Sequence, residues 1–358
     1  MDINTIMVFS KLLAHIYKMK RVLLVLLLPL VCSCSAGNNW QEFKADGLPT
    51  QDEEYEDLLF VNDTLGYLGG SKLTLVGNKQ DFKNEAILYK TKNKGKTWQQ
   101  VPLNYEGSIE KIFAFKDSLI LLLQDVTIET NYILKSTDGG KSWKEIFSYS
   151  KGSLIRDIHF DTSVSGKIIF DSKEGQYILG YNEIQWDTIS ILPNNYFHHR
   201  IFNNKVVSLI PEGLSANSIG ISVTVPHNKN NKFNFDKPYY IASSSKVGND
   251  LLLAAQVNEK GKIIKFSNNK IEYIDFGDFA EYKPDNIFSS GKTIIAIVSR
   301  DKDAAFLGVI HAALVSNDNG KTWDLEELPN PLAYKPAFLF QDNFFISNAL
   351  VGQFQARQ

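Results

Sequence analysis

Cysteine is almost absent from this chain, because Cys32 and Cys34 are its only two cysteines among 358 residues. Everything after Cys34 therefore lacks the pair that a disulfide needs and the thiolates that many zinc sites use. Acidic and basic residues nearly cancel, with a formal net charge of −2, so the composition does not favour nucleic acid as a partner. Long apolar runs are missing too, since Val22 to Val31 is shorter than the roughly 20 residues that span a bilayer. The domain must be stabilised by burial, which a chain of this length can supply.

The first 34 residues have the pattern of an export signal. A basic start at Met19-Lys20-Arg21 precedes the apolar run, and Val31-Cys32-Ser33-Cys34 follows it. This ending resembles a bacterial lipobox, which implies that Cys34 becomes the lipidated first residue of the mature protein. A plain cleaved signal and an uncleaved membrane anchor are the alternatives, and either Met1 or Met19 is the start. We therefore predict a lipoprotein signal peptide over residues 1–34 and a single domain over 35–358.

The residues after Cys34 bear on location. By resemblance to known sorting patterns, Ser35 favours the outer membrane of a Gram-negative bacterium over the inner membrane. The following Ala36-Gly37-Asn38-Asn39 contains no acidic cluster, which favours the periplasmic face over the cell surface. We expect an outer-membrane lipoprotein that touches the membrane only through its anchor.

The tryptophans recur with a near-constant spacing. Trp143 follows Trp98 by 45 residues, Trp186 follows Trp143 by 43, and Trp323 lies 137 further on, close to three such steps. Two intermediate positions without tryptophan are then expected, and Trp40 begins one longer step. The resulting seven marks are Trp40, Trp98, Trp143, Trp186, Phe233, Tyr273 and Trp323.

A period of 40 to 50 residues containing several short strands is typical of a β-propeller with four strands in each blade. Within one period, Ile109 to Lys116, Ser118 to Gln124 and Tyr132 to Lys135 are strand-like and are separated by turn residues. Residues near Trp40 supply one outer strand, whereas the residues after Trp323 supply three strands without a fourth. The sequence therefore predicts an all-β, seven-bladed propeller in which the N-terminal strand completes the last blade and removes an open edge.

A short motif ends at three of the tryptophans. The stretches STDGGKSW, SNDNGKTW and TKNKGKTW end at Trp143, Trp323 and Trp98. We expect each to form the turn between the third and fourth strands, with the acidic or amide side chain accepting backbone N–H bonds and the glycine adopting a conformation closed to other residues. The tryptophan would pack against the next blade. These positions are Asn93, Gly95, Trp98, Asp138, Gly140, Trp143, Asp318, Gly320 and Trp323.

This motif resembles the Asp-box, or BNR repeat, of sialidase-like propellers and of propellers of the photosystem-assembly-factor type. The resemblance covers about residues 39 to 358, with degenerate blades between Trp143 and Tyr273. It implies a structural role for the motif on the blade rim, away from the central channel.

Sialidase chemistry would require an arginine cluster for the substrate carboxylate, a tyrosine nucleophile and an acid. After residue 34 the chain has only Arg156, Arg200, Arg300 and Arg357, and the Arg-Ile-Pro signature is absent. The adjacent His198 and His199 would point to opposite faces of a strand, so we predict neither a metal site nor a cofactor. An enzymatic role is disfavoured, and a sialidase-like glycosidase or a glycan-binding protein is the alternative.

Cations recur at similar distances after the marks. Lys111, Arg156, Arg200 and Lys335 follow their marks by 13, 13, 14 and 12 residues, so we expect them at equivalent places on the innermost strands. With His159 and His199 nearby, they would make one mouth of the channel a binding site that attracts an acidic group. The alternative is that these cations have no binding role and are solvated lysine and arginine side chains of the kind common at strand ends.

Together these features predict a monomeric, non-catalytic, protein-binding propeller of the bacterial envelope. Two roles fit: an assembly or accessory factor, and an immunity-type protein that neutralises a toxin. We expect a protein partner, and the cations favour an acidic one.

Overall fold

The computed structural model describes residues 40–43, 45–49, 53–76, 81–125, 130–149, 154–192, 197–202, 205–211, 219–224, 231–233, 239–247, 249–257, 260–268, 270–301, 309–328, 335–340, 343–348 and 353–357. The predicted signal segment, with Cys34, lies outside the described residues.

The described residues form twenty-eight strands and one short 3-10 turn, Gly277–Phe279. Antiparallel pairing joins the strands into seven four-stranded sheets, which we number in chain order. Sheet 1 contains β2 (Glu53–Phe60), β3 (Gly66–Val76), β4 (Asp81–Thr91) and β5 (Gln99–Val101). Sheet 2 contains β6 (Ser108–Phe115), β7 (Ser118–Asp125), β8 (Thr130–Ser136) and β9 (Lys144–Tyr149). Sheet 3 contains β10 (Leu154–Thr162), β11 (Ser165–Ser172), β12 (Gly175–Tyr181) and β13 (Trp186–Leu192).

The next sheets repeat the same meander. Sheet 4 contains β14 (Phe197–Phe202), β15 (Lys205–Pro211), β16 (Ile219–Thr224) and β17 (Asn231–Phe233). Sheet 5 contains β18 (Tyr239–Val247), β19 (Asp250–Val257), β20 (Lys260–Ser267) and β21 (Lys270–Asp275). Sheet 6 contains β22 (Lys283–Ser290), β23 (Thr293–Asp301), β24 (Val309–Ser316) and β25 (Asp324–Glu327). Sheet 7 contains β26 (Lys335–Phe340), β27 (Asn343–Asn348), β28 (Gln353–Arg357) and, from the N-terminal side, β1 (Trp40–Phe43).

The N-terminal strand closes the C-terminal sheet. Strand β1 pairs antiparallel with β28, so that Trp40 lies opposite Arg357 and Phe43 lies opposite Phe354. This pairing is the one that the sequence predicts for the residues around Trp40. It gives the three C-terminal strands their fourth neighbour.

Burial falls from the inner strands to the outer strand of a sheet. In β7, the five residues from Leu119 to Leu123 are all buried, because both faces of the strand are covered by neighbouring sheets. In the outer strand β9 only the central Ile146 and Phe147 are half-buried, and the other four residues are exposed. Apolar clusters join adjacent sheets; one of them packs Leu88 of sheet 1 against Ile109 and Leu121 of sheet 2. The interfaces between sheets therefore hold the described core.

The predicted count of seven blades needs correction. Side-chain packing over most of the sheet is described for five of them: sheets 1, 2, 3, 5 and 6. In sheets 4 and 7 the strands pair, but most of their side chains lie outside the description. The all-β propeller is confirmed, whereas packed blades are established for five sheets and not for seven.

The Asp-box turns are closed by side-chain hydrogen bonds. Asp138 Oδ1 accepts bonds from the backbone N–H of Lys141 and of Ser142, both at 3.0 Å. Asp138 Oδ2 accepts the Ser142 hydroxyl at 2.6 Å, and Ser136 Oγ accepts the Gly140 N–H at 2.8 Å. The Ser142 hydroxyl, followed by its N–H, holds the pKa of Asp138 well below its usual range. The carboxylate is thus occupied in shaping the turn.

The other two motifs repeat this arrangement. Asp318 Oδ1 accepts the N–H groups of Lys321 and Thr322 at 2.9 Å each. In the first motif Asn93 Oδ1 accepts the Thr97 N–H at 2.9 Å, so an amide oxygen serves where a carboxylate serves elsewhere. Each turn also bonds to the hairpin between the first two strands of its own sheet, as when Asn319 N–H donates to Lys292 O at 2.9 Å. The Asp-box turns and these first hairpins therefore lie at the same end of the sheets.

The tryptophans connect adjacent sheets, but in the opposite direction to that predicted. Trp143 Nε1 donates to Pro102 O at 3.3 Å, Trp186 Nε1 to Ile146 O at 2.9 Å, and Trp323 Nε1 to Asp275 O at 3.1 Å. Each acceptor belongs to the outer edge of the preceding sheet, whereas the sequence predicted packing against the next one. Each indole stands at the start of its own outer strand, and its N–H donates to the preceding sheet.

Candidate functional site at the channel mouth

Each innermost strand carries an irregularity near its start. Register shifts interrupt the pairing of the first strand with the second in all seven sheets, between Tyr55 and Asp57 in sheet 1 and between Ile109 and Lys111 in sheet 2. A β-bulge adds a residue to one strand, increases the local twist and re-aims the neighbouring side chains. The repeated bulge therefore gives the inner strands one equivalent position each, the residue at which pairing resumes.

We call the residues at this position in sheets 1 to 6 the post-bulge ring; the equivalent residue in sheet 7 is Ala337. In chain order, from sheet 1 to sheet 6, they are Asp57, Lys111, Asp157, Arg200, Ser243 and Asn286. The last five, from five successive sheets, line one cavity of about 700 Å³. The bulges lie near the start of each first strand, whereas the Asp-box turns lie beside its end.

Sheets 1 and 2 are joined across the ring by a carboxylate. Asp57, which is 6% exposed, accepts a hydrogen bond from the Ile112 N–H at 2.8 Å and pairs with Lys111 Nζ at 3.0 Å. The lysine side chain is half exposed. The Asp57 carboxylate raises the pKa of Lys111, so that the ammonium stays charged. Each of these two charges compensates the other.

Sheets 3 and 4 repeat the junction. Asp157 Oδ2 accepts the Ile201 N–H at 2.6 Å, as Asp57 accepts the Ile112 N–H. Burial raises the pKa of Asp157, and the Arg200 guanidinium and the Ile201 N–H oppose that rise. Arg200 also donates from Nε to Ser244 Oγ at 2.8 Å and from Nη1 to His199 O at 2.8 Å. The side chains of the ring thus alternate between acidic and basic in sheets 1 to 4, and those in sheets 5 and 6 are uncharged.

Two of the four predicted cations occupy equivalent positions, and two do not. Lys111 and Arg200 belong to the post-bulge ring, whereas Arg156 is the inserted residue of the bulge in β10. Arg156 Nε bonds to Asp171 of the adjacent strand in the same sheet. Lys335 precedes the bulge of β26, and its side chain lies outside the description. Along the ring the charges of Asp57, Lys111, Asp157 and Arg200 alternate in sign, and Lys111 is paired with Asp57.

The two predicted histidines are in different environments. His159 lines the cavity, where its Nε2 lies 3.2 Å from Asp161 Oδ1 and its ring stands edge-on to Phe113. His199 is 1% exposed, and its Nδ1 lies 2.7 Å from Ser208 Oγ. His159 can therefore face a ligand in the cavity, whereas His199 belongs to the packed interior of sheet 4.

The sequence reasoning missed the carboxylates. Asp57 and Asp157 stand in the short patterns Asp57-Leu58 and Asp157-Ile158, just as the cations stand in Lys111-Ile112 and Arg200-Ile201. The signal was therefore a charged residue before an aliphatic one in four successive periods, with the sign alternating.

Arg156 and Arg200 line the cavity, whereas Arg300 is not among its lining residues. Arg156 bonds to Asp171, Arg200 to Ser244, and Arg300 to Glu281 at 3.3 Å. The three arginines belong to sheets 3, 4 and 6. Within the described residues, no group of three His, Cys, Asp or Glu side chains is arranged to hold a metal ion. None of the helical structure described for this chain is long and apolar enough to cross a membrane.

No family model and no curated protein matches the sequence. Among solved structures, YCF48 bound to a D1 peptide is similar with a TM-score of 0.60 and 16% identity, covering 89% of this chain and 97% of that one. The propeller domain of the Trilobed protease from Pyrococcus furiosus has a TM-score of 0.53 at 10% identity, covering 86% and 96%.

An acylaminoacyl peptidase in complex with a chloromethyl ketone has a TM-score of 0.56 at 11% identity, covering 83% of this chain but only 50% of the peptidase. At such identities the likeness shows the fold alone. The chain is an all-β propeller, and its solved likenesses include both a peptide-bound propeller and the propeller domains of peptidases.

Proposed function

We propose that this chain is a non-catalytic propeller that binds a protein partner at the cavity lined by the post-bulge ring. The observation that carries the proposal is the convergence of side chains from five successive sheets on one cavity of about 700 Å³. Binding sites are commonly built from side chains that a rigid scaffold brings together in a concave surface. The likeness to YCF48, whose structure holds a D1 peptide, supports a peptide segment as the bound element.

The charge pattern favours binding over catalysis. General acid–base or nucleophilic chemistry needs a group that can give or take a proton at the reacting atom. The charged residues of the ring are instead engaged with one another and with backbone N–H groups: Asp57 with Lys111 and Ile112, and Asp157 with Ile201. Such pairing supports a rigid recognition surface.

The location of the protein follows from the signal segment. We propose that Cys34 carries the lipid and that the propeller faces the periplasm from the outer membrane as a monomer. Supporting this are the basic start, the short apolar run and the small residues that surround Cys34. Two roles follow from that location: assembly of an envelope complex and neutralisation of an incoming toxin.

A blocked cavity tests the binding proposal. Ala242 is the inserted residue of the bulge in β18 and lines the cavity, so Ala242→Trp should fill it. Thr188→Trp on the exposed face of the outer strand β13 is the matched control. Envelope extract passed over each immobilised protein should yield a partner with the wild type and the control but not with Ala242→Trp, at equal thermal midpoints. A partner retained by Ala242→Trp would contradict the proposed site, and turnover of a sialoside by the wild type would contradict the non-catalytic role.

A further inference from the structure

The post-bulge ring has two unlike halves. Sheets 1 to 4 contribute the charged half, which consists of Asp57, Lys111, Asp157 and Arg200. Sheets 5 and 6 contribute an uncharged half, Ser243 and Asn286, which occupies the same strand positions. Residues from both halves line the same cavity.

The charged half is internally satisfied. Asp57 is buried and holds both Lys111 Nζ and the Ile112 N–H, and Asp157 holds the Ile201 N–H beside Arg200. An acidic group of a ligand would have to compete with Asp57 for Lys111, and it would meet an Arg200 that already donates to Ser244 Oγ and His199 O. The charged half is therefore a poor receptor for an acidic ligand.

The uncharged half has unused hydrogen-bonding capacity. The hydroxyl oxygen of Ser243 is buried and has no hydrogen-bond partner among the described residues. The Asn286 side chain, which carries both a donor and an acceptor, is half buried and lines the same cavity. A buried polar atom without a partner is costly, so a group that supplies the missing bonds is bound favourably.

We infer that the element bound by this cavity is an uncharged amide of a peptide, either a backbone amide or an Asn or Gln side chain, held by Ser243 and Asn286. An amide matches because it donates and accepts at once, as do the serine hydroxyl and the asparagine amide. This inference rests on the proposed protein-binding function and replaces the acidic partner that the sequence predicts. It gives the charged half the role of a rigid frame beside the recognition half.

An array of short peptides tests the inference directly. The probes are end-blocked peptides of about ten residues in three sets: rich in Asn and Gln, rich in Asp and Glu, and composed of Gly and Ser. The Asn- and Gln-rich set should bind best to the wild type. Because paired charges contribute little to its affinity, that affinity should change by less than about twofold between about 50 mM and about 500 mM salt.

Single substitutions assign the contact. Ser243→Ala and Asn286→Ala should each weaken binding about 3- to 10-fold, the loss expected for one neutral hydrogen bond. Ser148→Ala, on the exposed face of the outer strand β9, is the matched control and should leave binding unchanged. Lys111→Met tests the competing contact, because an acidic ligand held by the lysine would lose its affinity in this variant.

The outcomes separate the two proposals. Preference for the acidic set, with affinity that falls steeply with salt and is lost in Lys111→Met, would overturn the inference while leaving protein binding intact. Wild-type affinity in both Ser243→Ala and Asn286→Ala would overturn it as well. Failure of every peptide set to bind the wild type would count against the proposed peptide-binding function itself.

Discussion

Removal of the Asp57 carboxylate should destabilise the propeller, and by more than its ion pair alone accounts for. The carboxylate accepts the buried Ile112 N–H at 2.8 Å and pairs with Lys111 at 3.0 Å. Leaving a buried N–H without a hydrogen-bond acceptor costs about 1–3 kcal/mol of stability. The half-exposed pair contributes about 0.2–1 kcal/mol, since solvent screens it. Asp57→Ala should therefore lower the free energy of unfolding by about 1–4 kcal/mol.

Asn at the same position distinguishes the two contributions. Asp57→Asn keeps a carbonyl oxygen for the Ile112 N–H and loses only the charge, so its cost should stay below about 1 kcal/mol. Urea unfolding followed by tryptophan fluorescence measures both variants. Asp117→Ala, which removes an exposed turn carboxylate, serves as the control and should cost less than about 0.5 kcal/mol. Equal losses for Ala and Asn at position 57 would refute the argument, because the backbone bond would then contribute nothing.

Three further predictions address the turn, the buried carboxylate and the anchor. Gly140 has a φ of 94°, and a Cβ added there would lie 2.8 Å from Val101 Cγ1, whereas at Gly139 the nearest atom would be 3.9 Å away. Gly140→Ala should therefore lower the urea midpoint more than Gly139→Ala does. Equal shifts would contradict the close approach. Because burial raises the pKa of Asp157, the stabilisation linked to its protonated form is complete below its ordinary pKa and is lost as pH rises through the raised value. Asp157→Asn should then gain stability relative to the wild type as pH rises above about 4, and a constant difference would speak against the shift. Cys34→Ser should abolish incorporation of labelled palmitate, and labelling that persists would place the lipid elsewhere.

The strand order was accessible from the sequence because the aromatic marks have a physical cause. Trp143, Trp186 and Trp323 stand at the start of outer strands, and their indoles bond to the preceding sheet. Because this contact recurs in each sheet, an aromatic residue recurs with the period of the sheets. Tyr273 also lies in an outer strand, β21, and keeps the spacing without an indole. Periodicity of this kind survives degenerate repeats, since it follows from strand lengths and not from any single residue.

The site was less accessible, because its register depends on bulges. Counting from the tryptophans places Arg156 beside Lys111, but Ile155 before the bulge of β10 lies 12 residues after Trp143, whereas Ile109 before the bulge of β6 lies 11 after Trp98. Asp157 is therefore the equivalent position. A shift of one residue turns a strand side chain to the other face. The sign of the charge at that position was therefore predicted wrongly for sheet 3, and the pairing of Asp57 with Lys111 depends on a contact between sheets that no local pattern contains.

The central claim is that the cavity of the post-bulge ring contacts a protein partner in the envelope. A photo-crosslinking amino acid placed at Ala242, inside the cavity, tests it most directly when compared with the same group at Thr188 on the outer strand β13. Irradiation of intact cells should give a crosslinked protein adduct from position 242 and none from position 188. Adducts from position 188 alone, or from neither position while Asn- and Gln-rich peptides also fail to bind, would contradict the account.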